Sequence, residues 1–416
     1  MNTMASRRDV LRDAAVGVGL GCLPSAWAAA TQVVAATEGG TGGGRPPRCF
    51  ITKEKDFDDV SRGDPLPHTL RGEALVRARL TIDTCRLEID AEDKAEIQTP
   101  LSIEKGNALD YAAMTELGRT KAIRYFKALQ CNNIARPLGQ GLWEGVALRD
   151  LLRACGDVAN VRRVFYWGFH NNDPQQMFRS SMAFGQVMDT PPGEMPPMVA
   201  YRLNGGPIPL ERGGPMRMIV PWAHGFKSVK WLQKIVLTHR YDNNDTYAEM
   251  NNDPESYLKT AAYFDSAEEE SFDAGPIRVT GTAVVGWPGL ERVECWLRPH
   301  TGAPPDLARD DPAWATARWS AATIEPPPVS WKDELPGGVL PEGVWGFSKD
   351  GRPKEWPLRY ALANWHVDLN DLKPGKYELR VRSVDKNGFA QPEPRPAGPK
   401  QRSGRNQIEC KLLSLR

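Results

Sequence analysis

No two of the seven cysteines stand close together. They fall at 22, 49, 85, 131, 155, 295 and 410, and without a Cys-x-x-Cys pair they outline neither a zinc ribbon nor a disulfide framework. Cys-x-x-Cys-His is missing too, so the chain carries no motif for a c-type haem of its own. Excess charge is also lacking. With 53 basic against 52 acidic residues, nothing global draws the protein to nucleic acid or to an anionic membrane. The expected partner is a small molecule or another protein. The apolar run near the N-terminus is too short to span a bilayer.

Glycine, at 38 residues, and proline, at 35, are plentiful and favour strands joined by many turns over a helical bundle. At 416 residues the chain exceeds one ordinary core and points to two domains. Residues 1–30 place Arg7 and Arg8 before a modest apolar stretch that ends in Ala26-Trp27-Ala28. This is the pattern of a twin-arginine (Tat) signal peptide with a small-x-small cleavage site, and it predicts a periplasmic protein. Folded export hints at a cofactor inserted first. Residues 31–49, which include "TEGGTGGGRPPR", read as a flexible Gly-rich linker.

From 50 to 265, apolar runs such as "RVFYWGF" and "RMIVPW" mix with the short helical signature "VALRDLLRAC", an α+β pattern. The acidic "DSAEEESFDAG" at 265–275 marks a change of texture. Beyond it, residues 276–416 show period-two strands, in which Val293, Cys295 and Leu297 face one way and Tyr377, Leu379 and Val381 repeat the pattern. Such strands predict an antiparallel sandwich of immunoglobulin type. A long proline- and tryptophan-rich insert between them is expected to wrap a surface.

Cys131 ends an apolar run in "KALQCNNIARPLGQGLWEGVALRDLL". By itself it reads as a buried small hydrophobe. Its context resembles the sulfite oxidase family of molybdenum enzymes: "LQC", a polar turn, then Trp143, Gly145, Val146, Leu148, Arg149 and Asp150. Residues 201–235, "YRLNGGPIPLERGGPMRMIVPWAHGFKSVKWLQKI", resemble a second hallmark of that family, and "VDKNGFAQPE" with "GRNQ" near the C-terminus resembles the end of its dimerisation domain. The resemblance implies an α+β sulfite-oxidase-type molybdopterin-binding domain at 50–265, followed by an immunoglobulin-like β-sandwich dimerisation domain at 276–416 and a homodimer.

In that family the cysteine is the metal ligand. Thiolate is a soft ligand suited to molybdenum already held by the two sulfurs of a pterin dithiolene, so one protein cysteine suffices. The resemblance therefore implies molybdenum and molybdopterin, with Cys131 on the metal. The pterin phosphate calls for fixed cationic donors, and Arg217, Lys227 and Lys230, with Arg212 nearby, form a dense set in apolar strand text. Ser228 lies inside the same segment. His170, Asp173 and His224 are further candidates for the pterin wall. Around the substrate the pattern departs from the family. Lys53 stands where sulfite-oxidising members carry an arginine, and Asn132 and Asn133 replace the small residues after the metal cysteine. Tyr257 is a candidate for the active-site tyrosine.

These features predict an exported oxidoreductase that exchanges an oxygen atom with a small molecule in a two-electron step. Its substrate would be sulfite or a related sulfur oxyanion, and electrons would pass to a separate cytochrome c or a membrane redox protein. Two alternatives stand beside it: a reductase of sulfoxides or similar oxides, and a cofactor-free binding or assembly protein. At least one of the Asn132 and Asn133 amides is expected to face the substrate; otherwise both cap the turn through their own backbone.

Overall fold

The computed structural model describes residues 49–416 except 62, 132, 133, 135, 171–177, 246–252, 267, 306, 308–310 and 392–407. The expected signal peptide and linker, apart from Cys49, lie outside that range. So do Asn132, Asn133 and Asp173.

The first half is built on two sheets. One runs in the order Glu88–Glu92, Leu232–Thr238, Arg163–Gly168, Arg179–Ala183, parallel at its first pairing and antiparallel at the others. The other runs Arg217–Ile219, Met198–Leu203, Gly139–Ala147, Ala122–Leu129, antiparallel throughout. Ile89, Val164, Tyr166, Ile235 and Leu237 of the first sheet meet Val146, Val199, Tyr201 and Met218 of the second in one buried core.

Helices close this core. Asp110 starts the helix Tyr111–Lys121 by accepting a hydrogen bond from the Ala113 N–H at 2.8 Å, a standard N-cap. The expected helical signature forms Leu148–Ala154, with Leu148, Leu151 and Leu152 buried. Mixed sheets with flanking helices match the α+β expectation.

Two further sheets make up the second half. Ala261–Phe264, Ile277–Val284, Leu362–Leu369 and Thr323–Ile324 form one, and Glu269–Phe272, Glu409–Leu415, Gly375–Asp385, Leu290–Pro299 and Ser320–Ala321 the other. Val279, Val293, Cys295, Trp365, Leu379, Val381 and Leu413 share a single core between them, and Leu297 and Tyr377 pack at its margin, as period-two alternation requires. Gly281 is glycine for a steric reason: a Cβ there would lie 1.9 Å from the Trp365 ring. The β layers begin earlier than the acidic stretch suggested. Ala261–Phe264 pairs antiparallel with Ile277–Val284, and the acidic segment itself supplies Glu269–Phe272, a strand parallel to Glu409–Leu415.

The halves are joined by more than the chain. Leu258, Ala261, Tyr263, Val284 and Tyr360 share a buried cluster with Tyr125, Leu129 and Trp143. The insert covers the Ala122–Leu129 strand from outside: Trp331 stacks on Phe126 at 5.4 Å, and Phe50, Phe347 and Leu335 complete the cluster. Backbone bonds reinforce it, with Trp345 N–H donating to the Arg124 carbonyl at 2.7 Å and Ala128 N–H to the Tyr360 carbonyl at 2.8 Å.

Candidate active site around Cys131

Cys131 lies two residues past the strand Ala122–Leu129 and is half-buried. The residue before it locks its backbone. Gln130 accepts the Gly225 N–H on its carbonyl at 2.7 Å, with Nδ1 of His224 3.2 Å from the same oxygen. Its side-chain Nε2 donates to the carbonyls of Cys131 (2.9 Å) and Ile134 (2.8 Å). The 3-10 turn Gly225–Lys227 thus sits against the cysteine, and a Cβ on Gly225 would stand 3.4 Å from the Cys131 sulfur. Glycine keeps that approach open.

Three of the expected cations gather nearby. Arg217 is buried, donates from Nε to the Ser228 carbonyl at 3.1 Å and from Nη1 to the Arg212 carbonyl at 2.7 Å, and stands 5.3 Å from the Trp143 ring. Burial and the charge of Arg212 pull its pKa down to about 9, against the opposite pull of Cys131 and Asp59. Arg212 donates to the Phe57 carbonyl at 2.8 Å, while its Nε is buried with no hydrogen-bond partner among the described residues. Lys230 has its donors spoken for: Asp59 at 2.9 Å, Ser61 Oγ at 2.8 Å and the Glu211 carbonyl at 2.7 Å. Burial and Arg217 lower the lysine to about 8, with Asp59 pulling the other way. Burial alone would raise the Asp59 carboxyl, but Lys230 and Ser61 outweigh it and bring it to about 2.

Lys227 belongs elsewhere. Its Nζ donates to the Ser181 carbonyl at 2.9 Å and lies 3.8 Å from Asp245, a carboxylate that also accepts from Ser180 Oγ at 2.6 Å. The charges acting on it are Asp245, Glu255, Arg163 and Asp253, without Arg217 or Lys230. The expected four-cation cluster is therefore three cations plus a separate buried ion pair, because the turn 225–227 sends Lys227 toward the Arg179–Ala183 strand. Ser228 Oγ accepts the Val220 N–H at 3.2 Å and works as a backbone tie. His224 is buried beside Gln130, and His170 is half-buried after the Arg163–Gly168 strand.

The substrate-side candidates fare differently. Lys53 lines another concavity, with Asn204, Lys332, Asp333 and Glu334. The part of its segment that reaches the cations is four to six residues further on: the Phe57 and Asp58 carbonyls on Arg212, and the Asp59 carboxylate on Lys230. Tyr257 pairs through its backbone with Ala223, next to the turn against Cys131. Its ring stacks on Trp287 at 5.0 Å and lines a cavity of about 240 Å³ with Trp222, Tyr360, Asp189 and Glu194.

Sequence reasoning missed Lys127. It sits mid-strand, wholly buried, with no hydrogen-bond partner on Nζ among the described residues. Burial lowers its pKa to about 7, and the Cys131 sulfur is the charge that opposes this. The signal was present: a lysine inside an apolar strand, an even number of residues before the cysteine.

The family model of the oxidoreductase molybdopterin binding domain matches residues 89–246. That span holds Cys131, Lys127, Arg212, Arg217 and Lys230. Residues 89–246 are an oxidoreductase molybdopterin binding domain. A nitrate reductase [NADPH] of Fusarium oxysporum is 36% identical over 114 residues, 26% of this chain and 12% of that protein. The mitochondrial sulfite oxidase of Drosophila melanogaster is 30% identical over 107 residues, 26% of this chain and 18% of that one. The chain thus spans under a fifth of these relatives' length. Among solved structures, the sulfane dehydrogenase SoxCD from Paracoccus pantotrophus superposes with a TM-score of 0.54 at 17% identity, covering 84% of this chain and 86% of that one, a likeness of fold. The cofactor-free alternative falls with these findings.

The molybdopterin domain offers a donor set that fits its cofactor. The Arg212 Nε and Lys127 Nζ are buried donors without a partner among the described residues, and such groups are costly unless a ligand satisfies them. Among the described residues no three His, Cys, Asp or Glu side chains gather as a ligand set, which leaves Cys131 as one soft donor beside those a dithiolene brings. Cys131 would hold the molybdenum, and Arg217 with Arg212 would face the anionic part of the pterin. When bound, the group supplies two-electron exchange of an oxygen atom with substrate.

Proposed function

We propose that this oxidoreductase oxidises sulfite or a related sulfur oxyanion and passes the electrons to a separate cytochrome c or membrane redox protein. The reading rests on one observation. The Cys131 sulfur feels two buried cations, Arg217 and Lys127, that belong to different strands. Positive charge beside a site favours an anion over a neutral oxide. The relatives include a sulfite oxidase, and the sulfane dehydrogenase shares the fold. Export behind the twin-arginine signal would deliver the enzyme, loaded, to the periplasm, and the β layers at 276–416 would pair two copies as an immunoglobulin-like dimerisation domain. The Asn132 and Asn133 amides would line the substrate side.

The molybdenum-loaded enzyme should reduce ferricytochrome c with sulfite as donor. Loaded enzyme that gives no sulfite-dependent reduction of cytochrome c would defeat the assignment. A second reading is reduction of a small oxyanion such as nitrate, favoured by the nitrate reductases among the relatives. Nitrate-dependent oxidation of a reduced viologen, faster than sulfite oxidation, would establish it instead.

A further inference from the structure

We propose that Lys127 is an additional donor to the anionic sulfur–metal group held at Cys131 and raises the reduction potential of the metal. The inference rests on the molybdopterin reading above and extends it to a residue no family motif singles out.

Strand geometry puts Lys127 on the right face. Side chains alternate along Ala122–Leu129, so Tyr125, Lys127 and Leu129 share one side, and Cys131 lies two residues beyond the strand's end. Among the described residues nothing satisfies the amine. Across the sheet the partners of Lys127 and Leu129 are Gly141 and Gly139, which contribute no side chain, and the Tyr125 hydroxyl is already engaged with the Pro196 and Ile219 carbonyls. Among the described residues no carboxylate acts on it, and its one charged neighbour is the Cys131 sulfur. A wholly buried amine with no acceptor weakens the fold unless a ligand accepts from it. The cations around Arg217 do not act on Lys127 either, so it approaches the sulfur from outside that cluster. A hydrogen-bond donor near a metal thiolate favours the more electron-rich, reduced state.

The test uses full-length protein loaded with molybdopterin and compares wild type with Lys127→Met and Lys127→Arg. In Lys127→Met the molybdenum midpoint potential should fall, so that at a fixed potential the reduced fraction drops at least about tenfold, or 59 mV for one electron; Lys127→Arg should stay close to wild type. The metal-free Lys127→Met protein should melt at or above the wild-type temperature, an outcome a purely structural lysine would not give. Loss of metal uptake in Lys127→Met with recovery in Lys127→Arg also supports the assignment. Equal loading and equal potential in all three proteins overturn it, as does an unfolded metal-free Lys127→Met. Wild-type protein that takes up no molybdenum overturns the molybdopterin reading itself.

Discussion

Both halves of the molecule bury cations, and they treat them in opposite ways. On the outer side of the second β layer, buried Arg380 and half-buried Arg298 share Glu378, while half-buried Arg382 and exposed Arg292 share Glu294. Tryptophans cover three of these: Arg298 stands 4.7 Å from Trp296, Arg380 5.3 Å from Trp314 and Arg382 4.0 Å from Trp319. Each guanidinium there meets a carboxylate. Around Cys131, by contrast, Arg212 Nε and Lys127 Nζ are buried without a partner among the described residues. Desolvated charge that is fully paired is architecture. Desolvated donors left open are a seat for something the chain does not encode.

The sharpest way to break this contrast is Cys131→Ser. It should reduce turnover to background and leave the fold intact, whereas Cys155→Ser, at a buried core position, should retain activity. Steady-state assays with thermal melts on both variants decide between them.

Next in size is Glu378→Gln, which strands Arg298 and Arg380 at once. Breaking a buried pair from one side costs about 3 kcal/mol or more, so chemical denaturation should show a large loss of stability. Activity per loaded molecule should not change. A loss of activity without a loss of stability would erase the distinction between the two regions.

A subtler comparison divides the cations of the first half. Arg217→Gln should lower molybdenum per folded protein, because its neighbours are Arg212 and Cys131. Lys227→Gln should instead destabilise the fold by removing the buried charge beside Asp245, with occupancy of the folded fraction unchanged. Metal analysis after gel filtration reads the first effect, and denaturant titration the second.

The smallest effect concerns Asp59. Its carboxyl ionises near 2 in the fold, below its ordinary value of 3.8, so the stability it lends is complete above about 4 and disappears as pH falls toward 2. Asp59→Asn should flatten the acid limb of stability against pH. An unchanged acid limb would place the Lys230 contact among the weak exposed pairs.

Much of this was legible before any coordinates. Cys131 stands at the end of its strand, the Leu148–Ala154 helix forms where the apolar spacing put it, and Val293 with Cys295 faces inward. Those features are local, and period and capping act over a few residues. Charge pairing is not local. Lys230 finds Asp59 across 171 residues and Lys227 finds Asp245 across a sheet, so two lysines three apart look like one cluster in sequence and serve different networks in space. The same reason moved the N-terminal contribution from Lys53 to Asp58 and Asp59: a single 3-10 turn, Glu54–Asp56, intervenes. Lys127 escaped notice because an unpaired donor is defined by what surrounds it, which spacing does not report.

The Ala122–Leu129 strand ends its sheet on one side, and an uncovered strand there would present free N–H and C=O groups to any other chain. Residues 344–360 prevent this, through the bonds from Trp345 to Arg124 and from Ala128 to Tyr360. The later part of the chain therefore guards the strand that leads to Cys131 against self-association. Cutting the protein after residue 275 would not liberate a smaller working enzyme; it would expose an adhesive edge, and the fragment should aggregate.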